Sequence, residues 1–574
     1  MKRAAGPFTA LATAAAMAAL LAGCASVPQA VTHDTVIRGG TVYDGSGGAP
    51  FVGDVAIDGD RITDIGTVEG SGRTEVDASG MAVAPGFINM LSWANESLIA
   101  DGRGMSDLKQ GVTLEVFGEG WSMGPYTQAM KDEAAARQGD IKYPIAWTTL
   151  GEYLQYLEDK GISPNVASFV GATTIRMHEL GEADVDPTPQ QLARMRGLVR
   201  SAMEEGALGV GSSLIYAPAN YAETPELVAL VQEAGTCGGM YISHMRSEGD
   251  NITAAIDELV TIAREADVPA EIYHLKLAGK DNWDRLPEVI AQIEAARAEG
   301  LEITTDMYLY TAGGTFLAAV TPPWAQDGGY DALLARLRDP ATRQKIVAEM
   351  REPDTEWENL LRLAGGGENV LLVGFANPDM KALTGKTLAE VAKDRSVSVE
   401  DAVVDLLLED GSGISAAFFL MSEDNVRAQT ALPYMSFGSD AEAMAPEGPF
   451  LLSDPHPRAY GNFARLLGKY VREEQALTLQ DAVRKLTSLP AANLSLRDRG
   501  SLAEGKFADV VIFDPATIGD QATYAEPHQY STGVRDVFVN GVQVLKDGDH
   551  TGATPGRFVH GPGWTGWPDG GACR

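Results

Sequence analysis

The segment "MYISHMRSEGDNITAAIDELVTIAREADVPAEIYHLK", Met240 to Lys276, begins and ends with a short apolar run that stops at a histidine. "MYISH" and "AEIYH" have the length and side-chain character of buried strands. Two later stretches share that texture: "LEITTDMYLY", which carries Asp306, Tyr308 and Tyr310, and "PYMSFGSD", which ends in Asp440. Helical patterns such as "PELVALVQEAGTC" and "LPEVIAQIEAARAEG" lie between the strands. Strand–helix alternation over about 400 residues predicts a parallel α/β architecture, most economically a barrel. Such barrels carry their chemistry at the C-terminal ends of the strands. His244 sits at one such end with Arg246 and Glu248 beyond it, and His274 sits at the next, followed by Lys276. A single strand-end histidine is ordinarily structural. Two on consecutive strands, with an aspartate at a later one, form a candidate metal site, because neutral imidazole is a standard zinc ligand and a carboxylate completes or assists hydrolysis.

Outward from the barrel the texture changes. "TVIRGGTVYDGSGG", "DVAIDGDRITDIG" and "TEVDASGMAVAPG" read as hairpins near the N-terminus. "GSLAEGKFADVVIFD" and "VRDVFVNGVQVLKDG" repeat the pattern near the C-terminus, with Asn540-Gly541 as a hairpin turn. The expected organisation is a small β-domain from residues 31–84 and 495–560 and a barrel over 85–494. A helical, loop-rich insertion is expected at about 324–424. The tail "HGPGWTGWPDGGACR" reads as a loosely docked extension.

With 574 residues, 45% hydrophobic and 22% charged, the chain is globular and exceeds one ordinary domain. A formal charge of −34 excludes bulk neutralisation of phosphates, so nucleic acid is not an expected partner. "MKRAAGPFTALATAAAMAALLAGC" has a basic start, an apolar run and small residues before Cys24, the layout of a secretory signal over residues 1–24. "LLAGC" resembles a bacterial lipobox, which implies a lipidated Cys24 and an exported, membrane-anchored protein facing the periplasm or the cell exterior. Cys237 and Cys573 then remain, free or paired, and a disulfide scaffold is excluded.

Several stretches resemble the D-aminoacylase (N-acyl-D-amino-acid deacylase) branch of the amidohydrolase superfamily. They are "APGFI", "GVTLEVFGEG", "ALGVGSSLIYAPANYAETPELVAL", "ISHMRSEGDNI", "YHLKLAG", "FGSDA" and "DPHPRAYGNFARLLGKYV". The resemblance implies a distorted (β/α)8 barrel plus a small β-domain assembled from both chain ends, a zinc-dependent hydrolase of linear amides, and a small-molecule substrate. Position by position, it implies that His244 and His274 hold the tightly bound zinc. Asp440 is implied to take a proton from metal-bound water and pass it to the leaving amine. Arg458 is implied to hold the substrate carboxylate, a task suited to its bidentate fork, and Lys276, Tyr216 and Tyr308 match other substrate-pocket positions.

The departures are as informative. The family's His-X-His on the first strand is Leu91-Ser92-Trp93 here, within "APGFINMLSWAN", and its preceding aspartate is Asn89. Neither Leu nor Trp ligates zinc. The family's cysteine ligand falls at Gly120, beside Glu119, which becomes the candidate third ligand, with a hydrogen-bonding loop residue as the competing reading. Arg176 is retained, and His178, without a family counterpart, reads as a surface or packing residue. The expectation is one zinc per chain, with Asn89, Ser92 and Trp93 lining the pocket and Trp93 filling the space of a second metal. Two alternatives stay open: hydrolysis of another amide (a D-dipeptide, a cyclic amide or a bulky amidated compound), or a catalytically reduced lipoprotein that binds small ligands.

Overall fold

The computed structural model describes residues 32–353 and 355–573. The expected signal segment, residues 1–24 with Cys24, lies outside the described residues. Eight strands form the barrel: β1 (Phe87–Asn89), β2 (Val112–Phe117), β3 (Asn165–Ser168, continued by Val170–Gly171), β4 (Gly209–Ser213), β5 (Met240–His244), β6 (Ala270–Ile272), β7 (Ile303–Met307) and β8 (Met435–Phe437). Neighbouring strands pair in parallel from β1 to β3 and from β3 to β8. The barrel closes where Met90 N–H donates to the Phe437 carbonyl at 3.2 Å. The strands are buried on both faces, which is why they read as short continuous apolar runs and not as alternations.

Helices fill the crossovers. Ile252–Ala266, between β5 and β6, buries Ile252, Ala255, Ile256, Leu259, Val260 and Ala263, a single stripe at helical spacing. Each fully buried Ile or Leu on it contributes about 2 kcal/mol. The helix stops at Asp267, whose φ of 54° lies in the left-handed region. Pro189–Glu205 starts on a Thr188/Gln191 capping box with Pro189 in its first turn and ends at Gly206, φ 116°.

Both chain ends share one nine-stranded sheet. Its junction is Ala82–Pro85 paired antiparallel with Val510–Phe513, Pro85 opposite Val510 and Ala82 opposite Phe513. Asn540 and Gly541 form the two-residue turn between Val534–Val539 and Val542–Lys546, with φ of 49° and 78°, the signs a type I′ turn requires.

Between β7 and β8 the insertion starts at Ala312, earlier than the sequence texture indicates. It contains a three-stranded antiparallel sheet of Ala312–Phe316, Ser415–Phe419 and Val370–Gly374, flanked by the helices Tyr330–Arg338, Pro340–Met350, Leu388–Arg395 and Val399–Asp410. "AGGTF" is too glycine-rich to announce a strand, which explains the helical, loop-rich expectation.

The C-terminal tail is firmly attached, contrary to its glycine-rich appearance. Gly556 N–H donates to Ile162, Val559 to Val166 and Gly561 to Gly206, all at the N-terminal side of β3 and β4. His560 stacks on Trp564 with ring centroids 3.7 Å apart, and Arg497 covers Trp567. Cys573 forms a disulfide with buried Cys237, 336 residues earlier. The tail therefore closes the end of the barrel opposite the catalytic strand ends. Among the described residues no helix is long and apolar enough to cross a membrane. Replacing Cys573 by Ser, or reducing the wild type, is expected to cost about 2–4 kcal/mol. Thermal unfolding with and without reductant checks this: the variant melts lower and loses nothing more when reductant is added.

Candidate metal centre and active site

Three buried groups from three strand ends meet at the C-terminal mouth of the barrel. Glu119 follows β2, His244 ends β5, and His274 lies just past β6. Glu119 Oε1 lies 2.7 Å from His244 Nδ1 and 3.0 Å from His274 Nε2. The imidazole rings stand edge to face, centroids 4.4 Å apart. Among the described residues these three offer ligand atoms all within 4.8 Å of one another. Gly120, φ 71°, is an unsuitable alternative: a Cβ there would sit 2.6 Å from the Ser213 Cβ, so no side chain projects from the position of the family's cysteine. The local fold thus brings Glu119 into the cluster.

The donor set fits a divalent transition metal. Two imidazole nitrogens and one carboxylate oxygen form a zinc-type set. The single oxygen Glu119 Oε1 is shared by both rings, and His244 Nε2 is buried with no hydrogen-bond partner. Burial would raise the Glu119 carboxyl, but the charge of His274 and hydrogen bonds from both histidines outweigh it and hold it well below the usual carboxylate range. Burial and Lys276 push the His274 imidazole down. Glu248 and Glu119 push it up more strongly, to about 10. Two carboxylates thus flank the ring, Glu119 at Nε2 and Glu248 at Nδ1. His274 has φ 35° and Asp440 φ 49°, left-handed values that a non-glycine residue holds only where its surroundings impose them.

Asp440, three residues past β8, faces this cluster. Its Oδ1 accepts from the Trp93 indole Nε1–H at 3.0 Å, and its Oδ2 lies 2.8 Å from Arg458 Nη1. Burial raises the Asp440 carboxyl, Arg458 lowers it and Glu119 raises it, with a net upward shift that favours proton uptake. Arg458 opens the helix Arg458–Arg465, its guanidinium 4.4 Å above the Tyr308 ring. The Arg458–Asp440 approach is an ion pair without hydrogen-bond alignment, because Nη1, like Nε, is buried with no hydrogen-bond partner. Nε alone has neither a hydrogen bond nor an ion pair, which leaves a place for an anionic group beside it.

Strand β7 of the barrel leads into the insertion strand Ala312–Phe316, which lies over the mouth. Tyr216, after β4, stands edge to face with the His244 ring at 5.2 Å, and Arg458 Nη2 reaches the Gly314 carbonyl at 3.4 Å. A Cβ at residue 314 would stand 3.2 Å from Arg458 Nη2, so glycine here gives the guanidinium room.

Lys276, expected in the substrate pocket, lies in the site but its ammonium is committed elsewhere. Nζ is 2.6 Å from Glu248 Oε1 and 2.7 Å from His274 Nδ1. It supports the histidine from behind. Glu248 was visible in the sequence only as a residue beyond His244, and the carboxylate–imidazole contact that orients His274, 3.0 Å from Nδ1, had no sequence signal. His456 was likewise missed, although it stands in the same "HPR" as Arg458. Its Nδ1 accepts from the Arg458 N–H at 3.1 Å and its Nε2 lies 3.0 Å from the Ala312 carbonyl. Burial and Arg458 keep the ring neutral. Asp306 is turned under the site, accepting from His274 N–H at 2.8 Å. Arg176 pairs with Glu226 at 2.6 Å, away from the centre, and half-buried His178 lies 3.2 Å from Glu179 Oε1.

The first strand supplies no ligand. Leu91 is fully buried among apolar neighbours. Asn89 Nδ2 donates to Asp107 (3.1 Å), Glu115 (3.0 Å) and Ser439 (2.8 Å), and its Oδ1 accepts from Ser439 N–H, which fastens β1 to the loop carrying Asp440.

Residues 427–545 match the model of an amidohydrolase family. The chain is 33% identical over 530 residues to D-aminoacylase of Alcaligenes xylosoxydans xylosoxydans, covering 92% of this chain and 97% of that one. A solved D-aminoacylase, whose binuclear metal centre is described by one-metal activation and second-metal attenuation, superposes with a TM-score of 0.77 at 31% identity, over 92% and 100% of the two chains. N-acyl-D-glutamate deacylase of Bordetella bronchiseptica was solved with zinc and a phosphonate mimic of the tetrahedral intermediate. It superposes at 0.75 with 28% identity and the same coverage. Fold and site together define a metal-dependent amidohydrolase. Within that class, the chain belongs to the D-aminoacylase (N-acyl-D-amino-acid deacylase) family.

Replacing Lys276 by Met leaves Glu248 buried without its cation. A loss of about 3 kcal/mol is expected, measured as a lower midpoint in denaturant unfolding.

Proposed function

We propose that this protein hydrolyses the amide bond of N-acyl-D-amino acids, using one zinc ion held by Glu119, His244 and His274. The observation that carries this reading is the juxtaposition of that donor set with Asp440 and the under-satisfied guanidinium of Arg458. Zinc bound there supplies Lewis-acid activation of water and of the acyl carbonyl. Arg458, whose Nε–H is unpartnered, offers its guanidinium to the substrate α-carboxylate and so fixes which hand of amino acid presents its amide to the site. Tyr308, beneath the guanidinium, and Tyr216, edge-on to His244, bound the space beside it. Asp440 accepts a proton at a carboxylate oxygen from the attacking water and returns it to the nitrogen of the leaving amine, so that the C–N bond breaks and a carboxylic acid and an amine are released. Lys276 and Glu248 hold His274 in place.

Export fits the same reading. The Cys237–Cys573 disulfide suits an oxidising compartment, and a lipidated Cys24 would tether the enzyme to a membrane. Replacing Cys24 by Ala is expected to move the protein from the membrane fraction to the soluble one.

The decisive assay is zinc content together with turnover of N-acetyl-D-amino acids. Wild type is expected to be active, and His274→Ala to lose both zinc and activity; a fully active variant would remove the assignment. Asp440→Asn is expected to lower kcat by about 10²–10⁴-fold while keeping the metal. Arg458→Ala is expected to weaken turnover of the free acid by about 10–100-fold and to change that of the corresponding carboxamide far less.

A further inference from the structure

Two carboxylates face each other across the mouth of the site with one N–H between them. Trp93 Nε1 lies 3.1 Å from Glu119 Oε2 and 3.0 Å from Asp440 Oδ1. The remaining oxygens have other partners: Oε1 of Glu119 meets the two imidazoles and Oδ2 of Asp440 meets Arg458. An indole N–H donates but has no lone pair to offer a cation. Two facing carboxylates ordinarily need positive charge between them, and a divalent ion is the usual solution. Here a dipole stands in that place.

The rest of the first strand agrees. Leu91 is buried in the apolar core, and the Asn89 amide is already committed to Asp107, Glu115 and Ser439, so no group on this strand is free to hold a metal. Trp93 is also fixed by its backbone. Its N–H donates to the Ala441 carbonyl at 2.9 Å, and the preceding Ser92 N–H donates to Val116 at 2.9 Å. The indole is thus carried on rigid barrel structure and not on a mobile loop.

We infer that Trp93 is a built-in replacement for a second cation. Its N–H bridges Glu119 and Asp440, limits Glu119 to one oxygen for the metal, confines the centre to a single ion and makes the enzyme indifferent to excess zinc. This rests on the proposed metal role of Glu119, His244 and His274. It contrasts with the binuclear relative, in which a second metal attenuates. Trp93 is a positioning residue: it acts through the two carboxylates and not on the substrate.

The test is a zinc titration of the full-length protein after chelation, read by elemental metal analysis, tryptophan emission and activity. Wild type is expected to take up one equivalent and to hold constant activity as zinc rises beyond it. The double variant Leu91→His/Trp93→His is expected to take up a second equivalent and to lose activity in excess zinc. Trp93→Phe keeps the ring bulk but removes the donor. It is expected to bind its one zinc about 10–100-fold more weakly and to lose the emission change that accompanies binding in wild type. A wild type that binds two equivalents, or a Trp93→Phe variant with wild-type affinity and an unchanged emission response, overturns the inference while leaving the proposed hydrolase intact. A wild type that binds no zinc overturns the metal reading itself, and the replacement with it.

Discussion

The site is organised by the carboxylate of Glu119, whose two oxygens face different partners. Oε1 draws together histidines from two successive barrel strands, and Oε2 receives the indole of the first strand. A buried carboxylate is costly to hold in this way unless every lone pair is used. Around it the protein places opposite charges in sequence: imidazoles, then Glu248 with Lys276, and on the other side Asp440 with Arg458. Remove the central anion and the two histidines lose the group that sets their separation. The surrounding pairs then have nothing to balance. The backbone accommodates this arrangement at some strain, visible in the left-handed φ values of His274 and Asp440.

Much of this was legible in the order of residues. Buried parallel strands produce short apolar runs, so "MYISH" and "AEIYH" announced both a barrel and the histidines at its mouth. Asn540-Gly541 announced its turn because two successive left-handed residues require that pair. Glu119 stands next to the position of the family's cysteine, and at Gly120 itself there is no room for a side chain.

What escaped the sequence has a common cause. Lys276 carries the residue type of a substrate contact, yet its ammonium is directed by Glu248, a partner 28 residues away whose proximity depends on the loop geometry beyond β5. His456 matters through the carbonyl of Ala312 and the main chain of Arg458, neither of which leaves a mark in side-chain identity. The strand Ala312–Phe316 is held by its neighbours and not by its own glycine-rich composition. The tail looked unattached because its anchorage is made of backbone hydrogen bonds to Ile162, Val166 and Gly206, together with one disulfide.

The pairing of Ala82–Pro85 with Val510–Phe513 sets the order in which the molecule can come into being. The strand that runs directly into β1, and so into Trp93, finds its antiparallel partner only after more than four hundred further residues have been made. Contacts of such sequence separation form late and slowly. The emerging chain therefore carries Ala82–Pro85 without its antiparallel partner until Val510–Phe513 has been made. The junction that seats the first barrel strand is thus completed only by strands from the far end of the chain.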